Sequence, residues 1–228
     1  MCKDINNELI AAVKNDINVS ELTDFEKVKD SICYKLVNTE ANKAILKEVP
    51  HIDKLDLSVV FYILISEQDD GGIVTAMIKD SLAEAWGRSA EELFELAKEN
   101  TPKHFKGSVR DMMSVLGDLT GYIDSTDFEI EVSDCPMYVC SNKQCMNGAS
   151  AVLYDGLLEE FSKTVGNDLY VLPSSIHEMI LVPVNDRFDP DELRAMVSEI
   201  NTTQVAPDEV LSDNVYIYRR GADGIAVA

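Results

Sequence analysis

Residues 169–184, LYVLPSSIHEMILVPV, set a polar hexapeptide, Pro173 to Glu178, between two runs of β-branched and aliphatic residues. Such runs form strands, and a short polar insert rich in proline and serine joins them as a hairpin loop. Two further stretches repeat the pattern. "MYVCS" (137–141) and "ASAVLY" (149–154) flank Asn147-Gly148, a pair that tolerates the positive φ of a tight turn. "DLSVVFYILI" (56–65) and "IVTAMI" (73–78) flank "EQDDGG". Hairpins at about 56–78, 137–154 and 169–184, with helical patterns between them, predict an α+β fold in which helices pack on one face of an antiparallel sheet.

The helices are read from period and punctuation. Ile5, Leu9 and Val13, then Phe25, Val28, Ile32 and Leu36, recur at helical spacing and predict a helical N-terminal region over 1–50, closed by Pro50. Residues 51–120 hold the first hairpin and its helices. Ser89 and Glu92 make a capping box before Leu93, Phe94, Leu96 and Ala97, the helix is expected to stop before Pro102, and another is expected over 108–119. Trp86, the one tryptophan, is expected to anchor these helices on the sheet. Residues 121–136 form an acidic, glycine-punctuated connection. From 137 to 220 the order is hairpin, helix, hairpin, helix and strand, the second helix entered through Asp189 and Pro190 and the strand being "NVYIYRR" (214–220). The tail "GADGIAVA" is expected to fray. At 228 residues and 46% apolar composition, a single domain over 1–228 can bury its own core.

Charge bounds the partners. The chain has 41 acidic and 20 basic residues, and residues 115–228 hold 20 of the acids but 6 of the bases. Asp124, Asp127, Glu129, Glu131 and Asp134 fall in the stretch between Arg110 and Lys143, which has no Lys or Arg. A surface of this sign repels phosphate, which disfavours direct nucleic-acid binding and anionic membranes and favours a protein partner with a basic surface. The longest apolar run, Val59 to Ile65, falls far short of the ~20 residues that span a bilayer, and the first residues lack a secretory pattern. Five cysteines, an odd count without an export signal, indicate reduced thiols in a cytoplasmic protein.

Candidate chemistry centres on the opening loop. In an extended segment Ser175 and His177 share a side, and in a tight turn Ser174 can meet His177, so a hydroxyl and an imidazole can be neighbours. A hydrolase also needs an oxyanion hole and an orienting carboxylate; Glu178, adjacent to His177 on a strand, points to the opposite face. The competing reading is a loop whose hydroxyls satisfy backbone donors. Asn142 and Asn147 belong to a second polar loop at the same sheet edge, so Asn142, Asn147 and Glu178, with the five acids of 124–134, are the candidate binding surface. Cys135-x4-Cys140-x4-Cys145 lacks the paired knuckles and nearby histidine of a structural zinc site, and no phosphate-loop motif occurs, so neither metal nor cofactor is expected.

The stretches "TDFEKVKDSICYKLVN", "VPHIDKLDLSVVFY", "WGRSAEELFELAKENTP", "MYVCSNKQCMNGASAVLY", "LYVLPSSIHEMILVPVN" and "APDEVLSDNVY" together resemble an uncharacterised domain-of-unknown-function family of gut anaerobic bacteria, often found on mobile elements. The resemblance implies a relative without an established activity. It also implies that this chain lacks the family's N-terminal strand-and-helix segment. The expected function is a non-enzymatic interaction or regulatory module, an accessory or inhibitory factor of a mobile element. The alternatives are a hydrolase using Ser175 or Ser174 with His177, and a small-molecule sensor. Oligomeric state is not legible in the sequence.

Overall fold

The computed structural model describes residues 22–67, 72–120 and 136–228. Ten strands form two antiparallel sheets in these residues. In the first, β3 (Leu57–Glu67) is central: β1 (Ile32–Asn38) lies along one edge, while β2 (His51–Lys54) and then β4 (Ile73–Met77) line the other. In the second, the order is β10 (Ile225–Val227), β9 (Tyr216–Tyr218), β7 (Leu169–Ser175), β8 (Glu178–Pro183), β6 (Tyr138–Asn142) and β5 (Gly107–Asp111).

Strand alternation explains how the sheets meet. Ile32, Tyr34 and Leu36 of β1 and Leu57, Val59, Phe61 and Ile63 of β3 point one way, into a core they share with Leu169, Val171, Met179, Leu181 and Tyr216 of the second sheet. The other face of the second sheet, with Tyr170, Leu172 and Val182, is covered by Leu193 and Val197 of the helix Pro190–Thr203. The helix Ala90–His104 guards the free edge of β1: the Tyr34 amide donates to Thr101 Oγ1 at 3.1 Å, and that hydroxyl donates to the Ala97 carbonyl at 2.6 Å. An edge-strand donor is thus satisfied by a side chain rather than left to pair with another chain.

The α+β class and the hairpins 57–77 and 169–183 are present as expected. Several boundaries differ. Ile32 and Leu36 lie on a strand, because the same residues also fit a period of two and "ICYKLV" carries strand-forming residues; the short helix Phe25–Val28 and a 3-10 turn over Lys29–Ser31 lead into it. The Ile5–Val13 stripe and the connection Gly121–Asp134, with Asp124, Asp127, Glu129, Glu131 and Asp134, lie outside the described residues.

"ASAVLY" is no strand: Gly148–Leu153 form a 3-10 helix, because β5 and β8 already occupy both edges of β6. Residues 107–111 are a strand, and the helix Met112–Thr120 follows, its first turn held by Asp111 Oδ1, which accepts from the Met113 and Ser114 amides. Pro102 sits inside the helix, which runs on to His104, since a proline near the end removes one hydrogen bond without unwinding the turn. The tail does not fray: Ile225–Val227 pair with β9.

Candidate functional site

The polar loop at 173–178 closes tightly. Ser175 opposes Glu178 across β7 and β8, and the ladder slips between Pro173 and Ser175, a bulge that re-aims Ser174. Ser175 Oγ accepts from the His177 amide at 3.0 Å, and Ser174 Oγ donates to Glu178 Oε1 at 3.3 Å. Both hydroxyls are therefore engaged within the turn, and the contacts they make are not to the imidazole.

The second loop is built around Asn142, which is buried. Its Oδ1 accepts from the amides of Gln144 at 3.1 Å and Met146 at 3.3 Å, and its Nδ2 donates to the Met146 carbonyl at 2.7 Å. One side-chain amide replaces a turn of backbone pairing, as asparagine does where the chain must reverse. Cys145 and Asn147 take positive φ of 52° and 50° to complete the reversal. Cys140 is buried on β6, where burial pushes its thiol up to about 12, whereas Cys145 is exposed and Cys135 is not described. Burial thus sets Cys140 apart from Cys145.

The two loops meet. Ser141 Oγ donates to the His177 carbonyl at 2.7 Å, the Ala149 amide to the Ile176 carbonyl at 3.3 Å, and the Asn147 amide to His177 Nδ1 at 3.3 Å. The approach is close because residue 148 is glycine: a Cβ there would stand 2.1 Å from Ser141 Oγ, 2.4 Å from the His177 carbonyl and 2.8 Å from the Asn142 amide nitrogen. A third segment joins them, where the Ile176 amide donates to the Glu209 carbonyl at 3.0 Å and His177 Nε2 lies 3.6 Å from Glu209 Oε1. With Nδ1 accepting, the neutral imidazole carries its proton on Nε2, facing the Glu209 carboxylate. Nδ1 is bonded to the second loop and Nε2 stands beside the Glu209 carboxylate, so the imidazole lies between three segments.

Asn142, Asn147, Ser174, Ser175, His177 and Glu178 thus belong to two loops that meet, a contact the sequence left open. Ser141, Gly148 and Glu209 were not singled out by sequence. Gly148 carried a signal in the Asn-Gly pair, but it was read as a hairpin turn; Glu209 carried none, because nothing local ties it to His177.

A separate polar cluster joins the sheets. Asp56, in the turn before β3, accepts from Tyr216 OH at 2.8 Å and from Ser212 Oγ at 2.5 Å. Tyr216 is fully buried, and burial raises its phenol well above the ordinary value. Asn201 Nδ2 adds bonds to the Ser212 carbonyl at 2.9 Å and Asp213 Oδ1 at 2.8 Å, tying in the helix Pro190–Thr203.

No helix among the described residues is long and apolar enough to cross a membrane. No curated protein and no solved structure matches the chain. Residues 1–220 match the family of unknown function DUF5688, and the chain belongs to that family.

Proposed function

We propose that this protein is an acidic interaction module that docks on a partner with a basic, partly apolar surface. One observation carries the reading. On the helix Pro190–Thr203, Met196 and Ile200 are each 41% exposed and stand one turn apart, flanked by exposed Glu192 and Glu199. Arg194, the one base of that helix, is engaged by Asp191 and the Ala228 carbonyl. An apolar pair rimmed by carboxylates is complementary to an amphipathic segment that sets apolar side chains between lysines or arginines. The formal charge of −21 adds long-range attraction for such a partner. A role as an accessory or inhibitory factor of a mobile element is supported by the family resemblance alone.

The test is affinity capture of the tagged chain and of a Glu192→Lys/Glu199→Lys variant from lysate of the source cell, each washed at low and high salt. The expected result is a basic partner held by the wild type at low salt, released at high salt and absent from the variant. Retention indifferent to both salt and charge reversal sinks the reading.

A further inference from the structure

A cleft of about 300 Å³ opens where the first sheet, the helix Ala90–His104 and the C-terminal turn converge. It is at the small end of the range for ligand pockets. Phe94, Tyr154 and Tyr218 are among its lining, and Gly156 and Gly224 line it with open space where a Cβ would stand.

The charges around it fall into two groups. Lys54 and Lys98 hold their ammonium groups 5.8 and 5.9 Å from the centroid of the same Phe94 ring. Lys98 is offset by Asp155 at 3.5 Å, whereas Lys54 makes no ion pair among the described residues. Glu159 and Asp223 form the second group, beside the Tyr218 phenol, which burial and then Glu159 push upward. Glu159 is paired with Lys163, whereas Asp223 makes no ion pair among the described residues. Each group therefore keeps one exposed charge without an ion-pair partner among the described residues, a cation at Lys54 beside the Phe94 ring and an anion at Asp223, both lining one cleft.

We infer that this cleft binds a small zwitterion of the amino-acid type, its carboxylate at Lys54 and its ammonium at Asp223, with its apolar part against the aromatic side chains of the lining. A dipolar molecule can pair with both charges at once, whereas a ligand of single charge pairs with one of them, so the preference comes from the second contact. The inference goes beyond the docking reading and does not rest on it.

Titration of the full chain with each common L-amino acid, followed by nuclear magnetic resonance, tests the site, with acetate and methylammonium as single-charge probes. The expected result is saturable binding of at least one amino acid, weakened about tenfold or more in both Lys54→Met and Asp223→Asn. Acetate and methylammonium should bind at least about tenfold more weakly than that amino acid. Both substituted side chains are exposed, so the variants should keep the wild-type circular dichroism and melting curve. Charge reversal at Glu192 and Glu199 should leave the titration unchanged. The inference is overturned if no amino acid binds saturably, if either cleft substitution leaves binding intact, or if acetate binds as well as the amino acid.

Discussion

The junction around His177 and the cluster around Asp56 both fasten distant segments, but by opposite means. At the junction each bond between the loops has a main-chain atom on at least one side, the Ala149 amide meeting the Ile176 carbonyl, Ser141 Oγ the His177 carbonyl and the Asn147 amide the His177 ring, and the close approach depends on the missing Cβ of Gly148. At the cluster a single carboxylate gathers two buried hydroxyls. The first is specified by shape and tolerates changes of polarity; the second is specified by chemistry and tolerates small changes of shape.

The largest break in this contrast is Gly148→Ala. The added methyl meets two backbone atoms as well as a hydroxyl, so no rotamer relieves it, and the loops must separate. A loss of about 3 kcal/mol or more is expected in urea unfolding, with faster amide exchange at Asn147 and Ala149. Next is Asp56→Ala, which strands the Tyr216 and Ser212 hydroxyls in the core; about 2–4 kcal/mol is expected, and the added substitution Tyr216→Phe should recover part of it by removing one stranded donor. His177→Ala sharpens the comparison with the smallest effect, about 1 kcal/mol, because the Asn147 amide loses its acceptor while the bonds to the Ile176 and His177 carbonyls remain when the imidazole goes. A loss from His177→Ala as large as that from Gly148→Ala would show that the side chain, and not the close approach, holds the loops.

These differences also mark what was legible in the sequence. The hairpins around 57–77 and 169–183 were, because alternating apolar residues bounded by turn residues form them locally. β1 was not: Ile32 and Leu36 satisfy both the helical and the strand period, and pairing with β3 along its whole length decides between them. The strand predicted at 149–154 failed for a tertiary reason, since both edges of β6 were already taken. At the site, sequence placed the loops of Asn142 and Asn147 and of Ser174, Ser175, His177 and Glu178 at one sheet edge but left open whether they meet. It did not see Glu209 or Asp56, whose partners are brought to them by the fold alone.

The small strand Ile225–Val227 has a consequence for solubility at high concentration. It covers β9, whose three residues are all buried, and leaves a rim of only three residues at that end of the six-stranded sheet. A rim this short gives a neighbouring molecule little ladder on which to extend the sheet at that end, less than the five residues of β5 offer at the other.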